Sequence, residues 1–214
     1  MSNNARSKVA AAGRIVGLAV VLSAGAGSMV GFAAVANAGR EGMHGDPAAA
    51  APYWRYQQQD YDCGEMAVAD VIGQITGHEP SEAEITAAAG NIPSVSHPGP
   101  IYRAADKTKN SDLPVLLAHY GVQAAAVHTN TDALEQDLDQ GHKVIVGLND
   151  RTIWNKPGDR STENHFVVVT GIDTKAGLVH LNDSGSRAGR DEQVPIATFE
   201  AAWKTSDNFA VVTS

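Results

Sequence analysis

The spacing of apolar residues changes once along the chain, and that change restricts the folds open to it. After Cys63, Val68, Val71, Ile72 and Ile75 recur at i, i+3, i+4 and i+7, which predicts a helix lying on a core and stopped at Gly77. Ser81 and Glu84 stand at capping-box spacing and predict a second helix reaching about Ala89. From Ser111 the pattern alternates: a short helix to Tyr120, a strand near Val122 to His128, and a helix carrying Leu134 and Leu138 that ends at Gly141. It then becomes continuously apolar at Val144–Val146, Phe166–Val169 and Leu178–Leu181, as expected of short strands buried on both faces. A helical turn through Phe199–Trp203 and a strand at Phe209–Val212 close the chain. Helices first and strands later describe an α+β fold, with N-terminal helices packed on an antiparallel sheet, rather than a doubly wound one. Two stretches escape either period. Asn91–Asn110 holds three prolines, and Asn149–Asn164 is polar around a single Trp154. Loops of that length inside a compact domain are usually functional or mobile, and these two are expected to wall a cleft.

The 214 residues are 43% hydrophobic and 19% charged, which excludes a disordered tail, a collagen-like fibre and a disulfide-stapled miniprotein. The first 38 residues read as an address. Arg6, Lys8 and Arg14 precede an uncharged run, Ile15 to Val35, followed by Ala36-Asn37-Ala38. A cationic start, an apolar middle and a small-x-small site are the order of a secretory signal cleaved after Ala38; the competing reading is a retained membrane anchor. Removing those three bases takes the net charge from −8 to −11, which leaves no footprint for a phosphate backbone and argues against nucleic-acid binding. Residues 39–52 show no apolar period and are expected to form a flexible tether, with a single domain over 53–214.

Export sharpens the meaning of the one cysteine. Outside a reducing cytoplasm an unpaired cysteine is an intermolecular link or a reactive thiol. Cys63 lies in the polar stretch QQQDYDCGEM at a helix start, where free backbone amides and the positive dipole end stabilise a thiolate. The bland alternative is a small buried hydrophobe. A nucleophilic thiol needs a base, and eight histidines compete. His44 falls in the tether and His97 in the proline-rich loop. His78, His119 and His142 sit near helix ends, and His128 and His180 lie in or beside strands. His165 opens the strand HFVVVTGID directly after a long polar loop, where a cleft would be. If Ile172 pairs with Leu178 in a hairpin, His165 faces Gly185, and Asp183 becomes its diagonal neighbour on the same face. A slip of one residue would put Asp183 on the wrong face. An aspartate there would fix the imidazole tautomer, as in a nucleophile–base–orienter triad; otherwise Asp183 is a turn residue of NDSGS.

Gln57-x5-Cys63-Gly64 with Asp62 before the cysteine, His165 in HFVVVTG, Asp183 in LVHLND and the ending VPIATFEAAWKTSDNFAVV together resemble the bacteriocin-processing-peptidase-like branch of the papain-type cysteine peptidases. The resemblance spans Tyr53 to Val212. It implies a papain-like fold, with the cysteine helix packed against the sheet that carries the base. It also implies that Gln57 supplies a side-chain amide to the oxyanion hole; Gln58 and Gln59 differ from it only in spacing. An amide suits that place because it is a neutral donor to the charge developing on the carbonyl oxygen. The chain departs from many relatives in having Glu65 where they have proline, and a carboxylate there opposes ionisation of the thiol.

The sequence therefore predicts a secreted cysteine peptidase or amidase with Cys63, His165, Asp183 and Gln57 as its catalytic residues, acting on a peptide or other amide. It has no HExxH motif or Cys/His ligand cluster, and the chemistry calls for neither metal nor cofactor. Acyl or peptidyl transfer through the same thioester is the enzymatic rival, and a non-catalytic peptide-binding module on the same fold is the other. Contact with a membrane is expected only if the signal is retained as an anchor.

Overall fold

The structure is a computed structural model and describes residues 41–214. The signal reading of residues 1–38 lies outside the described residues. Seven strands form one sheet: β1 (Met43–Gly45), β2 (Ala124–His128), β3 (Val144–Leu148), β4 (His165–Asp173), β5 (Leu178–Asn182), β6 (Glu192–Pro195) and β7 (Phe209–Thr213). The order across the sheet is β2-β7-β3-β4-β5-β6, every pairing is antiparallel, and β1 pairs with the far end of β4. Seven α-helices accompany it: α1 (Pro47–Ala50), α2 (Cys63–Thr76), α3 (Glu82–Ala89), α4 (Leu113–His119), α5 (Thr131–Asp139), α6 (Asp150–Ile153) and α7 (Ile196–Trp203). None of the described helices is long and apolar enough to cross a membrane.

The continuous apolar runs are explained by a core on each face of the sheet. Val68, Val71 and Ile72 of α2, Ile85 of α3 and Leu116 and Leu117 of α4 pack with Ile145, Phe166, Val168 and Val211. Their strand neighbours Val144, Val146, Val167 and Val169 point the other way and pack with Leu134 and Leu138 of α5 and Phe199 and Trp203 of α7. Side chains alternate across a strand, so burying both faces requires apolar residues at consecutive positions. Ile75 is the exception in the helical stripe: it is 47% exposed, one turn beyond the contact with the sheet. Gly77 ends α2 in the left-handed conformation with φ 76°, and the Ser81–Glu84 capping box forms in full.

The expected tether is instead packed onto the domain. Met43, His44 and Gly45 pair with Asp173, Ile172 and Gly171, and Asp46 caps a helical turn that has Pro47 at its first position. His44 reaches Asp139 of α5 at 2.9 Å. A three-residue strand is too short to display a period, so its pairing partner, rather than its own pattern, defines it. Helix α6 and strand β6 are the other short elements that the apolar pattern does not reveal.

Candidate active site

Helix α2 places Cys63 at its first position, buried against the sheet with 3% exposure. Gly64 is required beside it, because a Cβ there would come within 3.1–3.4 Å of Leu113, Thr108 and Phe166. Two turns further along, Asp70 Oδ2 accepts from Asn182 Nδ2 at 2.8 Å, and the same amide reaches the Ala50 carbonyl at 3.0 Å. That buried bond joins the cysteine helix to the end of β5, the residue before Asp183. Burial pushes the Asp70 carboxyl up to about 7, although Gln74 and Asn182 hydrogen-bond to it.

His165 Nε2 donates to Asp183 Oδ1 at 2.7 Å, with both side chains buried. The Gly185 amide donates to the same oxygen at 2.8 Å, and Trp54 Nε1 holds the Asp183 carbonyl at 2.6 Å. A carboxylate can only accept, so the imidazole carries its proton on Nε2, which leaves Nδ1 as the ring's acceptor. Burial alone would push the His165 imidazole down. The Asp183 charge, its hydrogen bond and the interaction with Cys63 outweigh burial and hold the ring well above the ordinary histidine range. Cys63, His165 and Asp183 are thus brought together from a helix start, a strand start and a strand end.

The strand register that does this differs from the expected hairpin. Asp173, not Ile172, pairs with Leu178, so the turn end of the hairpin is one residue out of step. A bulge at Thr170 absorbs the extra residue, and from Val169↔Leu181 onward the pairing matches the one that makes Asp183 the diagonal neighbour of His165. Thr170 Oγ1 donates to the His180 carbonyl at 3.1 Å within this irregularity. His180 itself is bonded through Nδ1 to Asp191 at 2.6 Å.

Gln57 is held beside Asp183. Its backbone amide donates to the Ser184 carbonyl at 2.9 Å, and Ser184 Oγ donates to Gln57 Oε1 at 2.9 Å. The carboxamide oxygen is therefore occupied, and its NH2 faces outward, one hydrogen on the Gln59 carbonyl at 2.7 Å. Gln58 and Gln59 have other engagements: their backbone amides bind Glu82 Oε1, and Gln59 Oε1 accepts from Tyr102.

The two acids flanking the thiol change their meaning on burial. Asp62 is fully buried, and burial together with the neighbouring Glu82 carboxyl pushes it up to about 8. Burial pushes Glu65 up to about 7 against an opposing hydrogen bond from Thr108 Oγ1. Near neutral pH both spend much of their time uncharged, so the repulsion expected of Glu65 toward a thiolate is muted. Thr108 brings the end of the first long loop to the helix start. Trp154 brings the second loop to His165, with the two ring centroids 5.5 Å apart. The sequence marked Trp154 for its place in the second loop and not for a contact with His165. Ser184, Thr108 and Glu192 carried no signal, because each matters through a neighbour distant in the chain.

A cysteine at a helix start, facing a histidine and a carboxylate on an antiparallel sheet, defines the papain-like class of cysteine peptidases. The chain belongs to the Peptidase_C39-like family, whose model matches residues 51–211. It is similar to uncharacterized proteins of Mycobacterium bovis (strain AF2122/97) and Mycobacterium tuberculosis (strain H37Rv). Each is 50% identical over 196 residues, covering 80% of this chain and 84% of the relative. Among solved structures, a Bacillus anthracis protein described as a C39-like peptidase superposes with a TM-score of 0.59 at 17% identity, covering 81% of this chain and 98% of that one. A double-glycine-motif protease of an AMS/PCAT transporter, solved with its leader peptide, gives a TM-score of 0.49 at 16% identity, covering 74% and 88%.

Proposed function

We propose that the protein is a secreted cysteine peptidase or amidase working through a thioester. The observation that carries this reading is the buried His165–Asp183 pair at 2.7 Å, with Cys63 at the start of α2 near enough to help raise the imidazole. Cys63 Sγ attacks the amide carbon of the substrate, its proton having passed to His165 Nδ1. The resulting oxyanion is received by the Gln57 carboxamide and the Cys63 backbone amide, neutral donors aimed at charge that develops only in the transition state. As the C–N bond breaks, His165 returns the proton to the leaving amine, and an acyl-thioester remains. His165 then takes a proton from water, the hydroxide attacks the thioester, and the acid product leaves as the thiol is restored. Asp183 keeps the ring in one tautomer and stabilises its charged form.

Peptide-library mass spectrometry on the purified protein, beside its Cys63→Ala variant, tests the assignment. New carboxyl termini that disappear in the variant are the expected result, and no cleavage by either protein refutes it. Export is part of the same reading, and intact mass of the exported protein should begin at Gly39. A full-length species held in membranes would replace export with anchoring.

A further inference from the structure

Behind the His165–Asp183 pair lies a group that the mechanism above does not use. In the β5–β6 pairing Leu181 faces Glu192, so Glu192 is the diagonal neighbour of Asp183 on the same face of the sheet. Three side-chain atoms buried here lack a well-formed hydrogen bond: Asp183 Oδ2, Glu192 Oε2 and Trp154 Nε1. Two are oxygens of neighbouring carboxyls and the third is an indole donor, so one proton shared between the carboxyls would satisfy the group. Buried polar atoms left unpaired cost about 1–3 kcal/mol each, which makes that shared arrangement the favoured one.

We propose that Glu192 is a positioning residue for the triad: as a neutral carboxylic acid it donates its O–H to Asp183 Oδ2 and accepts the Trp154 indole N–H. Asp183 then keeps Oδ1 on His165, and Trp154 stays against the imidazole. The surroundings favour the acid form. Burial and the Asp183 charge push Glu192 up, against smaller opposing influences from the nearby Trp154 indole N–H and from His165. Asp183 and His165 are the titratable groups that act on it, and Arg160 lines the pocket on its other side. Ionised Glu192 would instead repel Asp183 and loosen its hold on the ring.

The inference rests on the peptidase reading of the triad, but its test needs no substrate. Alkylation of Cys63 by iodoacetamide is followed across a pH series in the full chain and in Glu192→Gln, Glu192→Ala and Glu192→Leu. Glutamine offers a permanent N–H to Asp183 and a carbonyl to Trp154, so it should retain the fast neutral-pH rate and remove the alkaline decline that ionised Glu192 imposes on the wild type. Alanine and leucine should slow alkylation about tenfold, the lower end of the effect seen when the outer partners of metal-bound histidines are removed, because Glu192 acts on His165 only through Asp183. Leucine fills the same space and covers the case in which the alanine variant unfolds. Equal rates in wild type and leucine variant, or a glutamine variant as slow as leucine, would overturn the proposal. A wild type that cleaves no peptide but shows the glutamine–leucine contrast would refute the peptidase reading alone.

Discussion

Replacing Gly185 with alanine isolates the contribution of triad geometry from that of triad chemistry. A Cβ at position 185 would lie 2.8 Å from His165 Cε1, 3.0 Å from His165 Nε2 and 2.9 Å from the Trp154 ring. Ordinary contact begins near 3.4 Å, so the imidazole and the indole must each retreat by roughly 0.5 Å. The backbone at Gly185 is not left-handed, so alanine adds no conformational strain and the cost is steric. The ring cannot retreat freely, because Nε2 is bonded to Asp183 at 2.7 Å and the Gly185 amide itself donates to that carboxylate. Overpacking of this kind costs about 1–3 kcal/mol of stability. Misplacing a reacting group by an ångström costs about 10²-fold in rate, so Gly185→Ala should lower kcat by about 10- to 100-fold. Cys63 alkylation and peptide turnover, measured beside thermal unfolding, provide the assay. Gly177→Ala is the control: nothing lies within 4 Å of its Cβ, but φ is +71°, so it should lose stability and keep its rate. Trimming Trp154 to leucine in the Gly185→Ala background should recover part of the rate by letting the ring move. A Gly185→Ala protein with wild-type kcat would refute the claim that this close packing sets the position of His165.

Cys63→Ala and His165→Ala should each abolish turnover without unfolding the protein, since members of such a unit act together, although His165→Ala should also lower the unfolding temperature because it leaves Asp183 buried without its partner. Asp183→Asn should keep part of the rate, because its carbonyl can still accept from His165 Nε2 and the Gly185 amide while the charge is lost; steady-state kinetics checks the order of the three. Stability should fall as pH rises from about 4 to about 8. Asp62, Glu65, Asp70 and Glu79 all bind protons more tightly folded than unfolded, chiefly through burial, so the folded state gains least once they ionise. His165, also raised, contributes stability that is complete below the ordinary histidine range and is lost as pH passes its folded value, in the same direction. Thermal unfolding across pH should show the decline, at about 1.4 kcal/mol per tenfold change in proton affinity, and Glu65→Gln should reduce it. Trp154→Ala should lower kcat more than it raises KM, because the indole rests on the base; a change in KM alone would return it to the role of a substrate wall.

Local rules were enough for the parts of this protein that depend on neighbours in the chain. The four-residue spacing from Val68 to Ile72 specifies α2, Ser81 and Glu84 close the capping box of α3, and Gly77 supplies the left-handed stop. The unbroken apolar runs require a sheet buried on both faces, because side chains alternate across a strand. The candidates Cys63, His165 and Asp183 were legible for the same reason: each sits where an element begins or ends beside polar chain. Register was not legible. The hairpin read from Ile172 and Leu178 is wrong at its turn, and the residues meet as they do only because Thr170 bulges out and restores the phase. Nor could the pattern reveal that Met43–Gly45 finds the exposed edge of β4, that Asp62 and Glu65 are buried enough to hold protons near neutral pH, or that Trp154 rests against the His165 imidazole. Helix and strand periods are set by backbone geometry within a few residues. Pairing partners, burial and carboxyl ionisation are set by whichever distant segments the folded chain packs together.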